Sequence, residues 1–144
     1  MKKLFYTLLI ALSANFANAQ NKATWKELKD FHTVMSQTFH PAEEGNLKPI
    51  RERSAEMVKA AEAWKKSTIP ADYKNVKDIQ ETLSKLVDGS KNLDKQVNAK
   101  ASDAELKTSI TALHDVFHTI VGLCRPGQDE HKGHGHDEHD GHKH

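Results

Sequence analysis

Apolar residues recur at steps of three and four between positions 106 and 124, and this spacing is the feature that most constrains the fold. The recurring residues are Leu106, Ile110, Leu113, Phe117, Ile120 and Cys124. Residues at such steps share one side of a helix, so the pattern predicts a helix whose apolar seam packs against other helices. Ser102 and Glu105 stand three residues apart just before the seam and form a capping box that marks the helix start.

Three segments upstream carry stripes of the same kind. The first should run from a cap at Thr24 to about Phe39, because Pro41 disfavours the helical conformation in the residue before it. The second begins near Leu47 and the third near Asn75. The stripes are Trp25, Leu28, Phe31, His32, Met35 and Phe39; then Leu47, Ile50, Ser54, Met57, Ala61 and Trp64; then Val76, Ile79, Leu83, Leu86, Ser90, Leu93 and Val97. Four amphipathic helices with short links over residues 20–125 predict an all-α, antiparallel up-down-up-down four-helix bundle.

The first 19 residues have the layout of a secretory signal peptide. Lys2 and Lys3 precede a short apolar run, and small residues at positions 17 and 19 mark a cleavage site. We therefore expect residues 1–19 to be removed and the mature protein to reside in the periplasm. The apolar run is too short to span a bilayer, and no other stretch approaches about 20 apolar residues, so we expect no membrane span.

Charge and motif content narrow the classes of function. The chain has 21 basic and 20 acidic side chains, and this balance argues against nucleic acid as a partner, because nucleic acid requires a basic face. Paired carboxylates, a nucleophile with its base and a Gly-rich phosphate loop are all missing from the sequence. No catalytic residue is therefore assigned, and we expect that the protein is not an enzyme.

Cys124 is the only cysteine, so no disulfide can form within the chain. Its place in the seam favours a small buried apolar side chain over an intermolecular link or a metal ligand. The sequence contains no Cys-x-x-Cys-His motif, which excludes the usual covalent attachment of a c-type haem.

The composition changes abruptly in segment 126–144. From Asp129 onward there is no apolar residue to bury, so this tail is expected to be disordered. Its histidines are His131, His134, His136, His139, His142 and His144. Several imidazoles on a flexible chain can close around one zinc, copper or nickel ion, so the tail is predicted to capture metal. The alternative is a solubilising tail without a ligand.

A second metal site is predicted inside the bundle. His114 and His118 lie four residues apart and project from the same side of their helix, a spacing suited to metal ligation but also frequent among ordinary histidines. With a rise of about 1.5 Å per residue, an inward-facing His32 and Met57 fall near the depth of His114. We therefore predict His32, Met57, His114 and His118 as ligands. The alternative is that Met57 fills the core and His32 bonds to a backbone carbonyl.

Two segments resemble a known family. Residues 106–114 are similar to the last helix of the periplasmic cytochrome b562 family, and residues 57–70 resemble its second helix and the following loop. The resemblance implies a four-helix bundle that binds haem b, with His114 as one axial ligand. In that family the other ligand is a methionine early in the first helix. This chain has none there, and His32 and Met35 are the nearest candidates.

Three functions follow from these observations. The protein is predicted to bind zinc, copper or nickel in the periplasm and to buffer the ion or deliver it, for example to a periplasmic metal transporter. The second possibility is a haem b electron carrier that meets a redox partner. The third is a ligand-free envelope stress or adaptor bundle, which needs only the helices. The metal-binding interpretation uses nearly all of the histidines and is therefore preferred.

Overall fold

The computed structural model of the protein describes residues 25–125, and this part of the chain is entirely helical, without strands. The helices are α1 (Lys26–Glu43), α2 (Lys48–Lys66), α3 (Val76–Asn98) and α4 (Asp103–Leu123). α2 packs against α1 and α3, and α4 packs against α3 and α1. The expected all-helical, four-helix architecture is confirmed. The predicted signal peptide and the histidine-rich tail lie outside the described residues.

Apolar side chains from all four helices form one core. The predicted α2 stripe and the α4 seam are buried at every position. Along α3 the stripe is buried in its middle, whereas Val76 at the first position is 42% exposed. Each buried large apolar side chain stabilises the folded state by about 1.5–3 kcal/mol, so this shared core holds the helices together. Of the helices in the described region, none is long and apolar enough to cross a membrane.

α1 extends past its predicted end near Phe39, so that prediction is wrong. Pro41 lies inside α1, which continues for two more residues. Pro41 removes one helical hydrogen bond in the last turn, but the adjacent Ala42 is buried in the core and anchors that turn. The helix ends at Glu43, and Gly45 follows with a φ of 87°, which suits glycine. There the Gly45 N–H donates to the Ala42 carbonyl and the Asn46 N–H to the Pro41 carbonyl, which forms a Schellman motif.

Trp25 links the start of α1 to the end of α2. Its indole N–H donates to Ser67 Oγ at 2.7 Å, and its ring meets Trp64 edge-on with centroids 5.5 Å apart. Trp25 is the residue that precedes the first turn of α1. The predicted cap, Thr24, lies outside the described residues.

The predicted capping box at the start of α4 is confirmed. The Glu105 N–H donates to Ser102 Oγ at 3.3 Å, and the Ser102 N–H donates to Glu105 Oε2 at 2.9 Å. The pKa of the Glu105 carboxylate is lowered mainly by the hydrogen bond from the Ser102 N–H and next by the bond from the Ser102 hydroxyl.

Gly89 lies where α3 packs against α4. A Cβ added at Gly89 would lie 2.8 Å from Leu113 Cδ1, so glycine lets α3 and α4 approach closely.

Candidate metal site

All four histidines among residues 25–125 lie on α1 and α4, the first and last helices of the bundle. They are His32 and His40 of α1 and His114 and His118 of α4. Two phenylalanines at the edge of the core, one from each helix, contact these histidines. His114 stacks on Phe39 with ring centroids 3.8 Å apart, and His32 stacks on Phe117 with centroids 5.4 Å apart. The histidines therefore form a band on the α1–α4 side of the molecule, backed by buried aromatic rings.

His114 and His118 are brought together by α4 itself. Their Nε2 atoms are 3.1 Å apart, and their rings meet at 81°. For this contact to be a hydrogen bond, one Nε2 carries a proton and donates it to the other. The separation would also let both nitrogens bond to one ion, since two zinc–imidazole bonds of about 2.0–2.1 Å would subtend an angle of about 100° at the ion. The pair is thus already spaced as a two-imidazole chelate.

The electrostatic setting of His114 favours its neutral form. Burial is the main cause that lowers its pKa, and His118 lowers it further. Asp115 and Glu43 act in the opposite direction, and His40 adds a small decrease. A lowered pKa keeps the imidazole unprotonated to a lower pH than usual, which leaves its lone pair available to a metal.

His32 does not face inward, so the predicted orientation is wrong. It is exposed on α1, with its ring parallel to that of Phe117. The buried face of α1 includes Val34 and Thr38, and His32 lies outside that face. His32 lies seven residues before Phe39, about 10 Å along the helix axis, so it contacts α4 at a different level from His114. Its role as a ligand stays a prediction.

Met57 is fully buried in α2, and Met35 of α1 is only 1% exposed. Both side chains belong to the hydrophobic core, where methionine commonly fills irregular space. Cys124 is also buried, as the seam position predicted, and burial raises the pKa of its thiol to about 11. Ligation by Met57 stays a prediction.

His40 forms a separate pair with Glu43. The distance from its Nδ1 to Glu43 Oε2 is 3.2 Å, and both side chains are exposed. Since an ionised carboxylate can only accept, Nδ1 is the donor in this contact. Carboxylates orient metal-binding histidines in this way.

Within residues 25–125, no three or more histidine, cysteine, aspartate or glutamate side chains converge closely enough to hold an ion. The His114–His118 pair therefore offers two ligands, and a closed zinc shell needs four. The six predicted ligands of the tail lie outside the described residues.

Sequence reasoning missed the aromatic backing of the histidines, although the sequence carries a signal for it. Each phenylalanine in the described part of the chain is followed by histidine, at 31–32, 39–40 and 117–118. Successive helical residues are rotated by about 100°. A histidine that follows a buried phenylalanine therefore emerges at the border of the core, where its ring can rest on apolar surface.

Comparison of the chain with protein-family models, with curated proteins and with solved structures found no match. The resemblance to the cytochrome b562 family therefore stays a prediction, and the functional argument depends on the residues of this chain.

Proposed function

We propose that the protein binds a transition-metal ion, zinc, copper or nickel, in the periplasm and buffers the ion or delivers it to a partner. The observation that carries the proposal is the 3.1 Å separation of the Nε2 atoms of His114 and His118. Borderline divalent ions prefer imidazole ligands, and two rings held by one helix lose little freedom when they bind. Short links and the pairwise packing of neighbouring helices support an antiparallel up-down-up-down order.

Three further elements of the proposal come from the sequence. The signal-peptide layout of residues 1–19 supports export, and the six histidines of segment 126–144 support a second place of metal capture. A protein that takes ions from the periplasm would meet a periplasmic metal transporter.

Haem b is the alternative cofactor, and the geometry of His114 bears on it. One face of the ring lies on Phe39, and its Nε2 turns toward a second imidazole at the exposed edge of α4. An axial ligand presents its nitrogen to a flat cavity that holds the porphyrin. The arrangement around His114 thus suits a small ion better than haem.

The test supplies metal and haem separately to a chain whose six tail histidines are replaced by asparagine. This parent is expected to bind one zinc or copper ion, and His114→Ala is expected to lose that site, because removing one of two helix ligands destroys the chelate. His32→Ala is compared with it, since it removes an exposed imidazole of the same side that lies apart from the pair; unchanged binding in this variant would show that His32 is not a ligand.

Competition titration with a chromophoric chelator measures the metal, and visible absorption measures haem. A sharp haem band that is lost in His114→Ala would overturn the metal proposal in favour of a cytochrome. A parent that binds neither ligand would indicate the ligand-free adaptor.

A further inference from the structure

The His114–His118 pair supplies two ligands from one helix, so an ion bound there needs further ligands to fill its coordination shell. His114 is partly buried against Phe39 of α1, whereas His118 is exposed. The pair therefore lies at the border between α4 and α1, and α1 is the element from which a third side chain could approach the ion. A third imidazole would fill three of the four positions that zinc prefers.

His40 of α1 lies close to this border. The ring centroid of Phe39 is 3.8 Å from that of His114 and 5.7 Å from that of His40, so the two imidazoles are no further apart than the sum of these distances. The pKa of His114, which burial lowers most, also responds to the charges of Glu43 and His40, so both groups lie near its ring. Lys107 Nζ donates to the Glu43 carbonyl at 3.3 Å and ties this end of α1 to α4.

The side chain of His40 is free to turn. Its Nδ1 contacts Glu43 Oε2 at 3.2 Å, and the two side chains are 64% and 53% exposed. Exposed pairs of this kind hold side chains only weakly, and a change between staggered rotamers moves an imidazole by several ångströms. A neutral imidazole always presents one unprotonated nitrogen. His40 can therefore leave Glu43 and offer a nitrogen to an ion at little cost.

The direction in which helical side chains lean favours His40 over the other α1 histidine. Phe39 contacts His114, and closer to the start of α1, His32 contacts Phe117. α4 therefore continues past His114 in that direction, and the second histidine of the pair lies there, one turn further on. Long side chains on a helix point back toward its N-terminus. The favoured rotamers of His40 thus point toward the level of the pair, whereas those of His32 point away from it.

We propose that His40 is the third ligand of the ion held by His114 and His118, so that a single three-imidazole site joins α1 to α4. This inference rests on the proposed metal-binding function and deepens it by naming a ligand from a second helix. The ion then ties together the two neighbouring helices that share the smallest interface. Its fourth position stays open to water or to a side chain of a partner, which is what delivery of the ion requires.

The experiment uses full-length mature chains in which the six tail histidines are replaced by asparagine, so that the four histidines of α1 and α4 are the only ones left. Zinc is added to one equivalent, and side-chain nitrogen NMR identifies each imidazole that binds. His40→Ala is compared with His32→Ala, which removes the other exposed imidazole of α1, and with His114→Ala. Competition titration with a chromophoric chelator gives the affinities, and circular dichroism checks the fold of each protein.

The nitrogen resonances of His40, His114 and His118 are expected to shift with zinc, whereas those of His32 should stay in place. His40→Ala should bind zinc about 100-fold more weakly than the parent, because it loses a ligand that the fold holds close to the ion. His32→Ala should bind like the parent. Zinc should also raise the melting temperature of the parent more than that of His40→Ala.

Other results would overturn the inference in distinguishable ways. If His40→Ala binds as tightly as the parent while His114→Ala loses the ion, the pair acts without His40 and the proposed function survives. A loss in His32→Ala that is absent from His40→Ala would assign the third position to His32. Zinc-dependent dimers in sedimentation would show that a second copy completes the shell. A parent that binds no zinc would remove the helix site itself.

Discussion

Phe39 sets the orientation of His114, because the flat imidazole lies on its ring at a centroid distance of 3.8 Å and an interplanar angle of 10°. Phe39→Leu keeps an apolar side chain but removes the flat support. We expect this variant to weaken zinc binding at the His114–His118 pair by about tenfold, since residues that orient ligands commonly affect affinity by that factor. Competition titration in the background without tail histidines measures the effect.

Phe31→Leu is the control for this prediction. Phe31 is also a buried α1 phenylalanine, but the rings it contacts are those of Trp64 and Phe117. Both variants should lose stability on the order of 1 kcal/mol, whereas only Phe39→Leu should lose metal affinity. Equal metal affinities would show that Phe39 does not position His114.

The closeness of His114 and His118 was predictable from the sequence, because both residues belong to one helix and its geometry fixes their spacing. The orientation of His32 was not. It depends on how α1 is rotated about its own axis, and that rotation is decided by which neighbours, Val34 and Thr38 among them, the other helices cover. The stack on Phe39 likewise depends on the register between α1 and α4.

At the scale of the helix, the capping box at the start of α4 is expected to contribute measurably to stability. Ser102→Ala removes the acceptor of the Glu105 N–H, so the free energy of unfolding should fall by about 1 kcal/mol. Urea denaturation measures the change. Ser84→Ala is the control and should have little effect, because Ser84 lies in the middle of α3 and its hydroxyl donates only to the Gln80 carbonyl of the same helix. A Ser102 variant as stable as that control would contradict the role of the cap.

Helix starts and helix ends were not equally predictable. The capping box is a local hydrogen-bond pattern that two residues specify, so the start of α4 followed from the sequence. The end of α1 did not, because the local penalty of Pro41 is outweighed by the burial of Ala42 and by the cap that Gly45 forms. Burial depends on other helices, which a rule about adjacent residues does not consider.

For the whole molecule, we expect deletion of residues 128–144 to leave the fold almost unchanged while it lowers the number of bound ions. Beyond Gln128 the sequence offers no apolar side chain to the core, and the apolar seams of all four helices are already packed together. Circular dichroism and thermal melting should match those of the full chain, whereas calorimetric zinc titration should give a lower stoichiometry. A truncated protein that unfolds, or binds as many ions, would refute this separation.

The architecture was predictable because four apolar stripes of similar length can be buried together in few ways. The closeness of α1 and α4 was part of that prediction, and it brings their histidines to a common side. The stacks of His114 on Phe39 and of His32 on Phe117 were not predicted.

α2 and α3 contain no histidine, so the two sides of the molecule differ in what they can do. Their outer surface instead carries paired charges such as Lys91 and Glu62, 2.8 Å apart. On a surface that displays chelated nickel, a chain whose tail histidines are replaced would attach by the proposed metal-binding side, and the charged side would face the solvent. The protein would orient itself there without any added tag, and a partner arriving from solution would meet Lys91 and Glu62 before it met the ion.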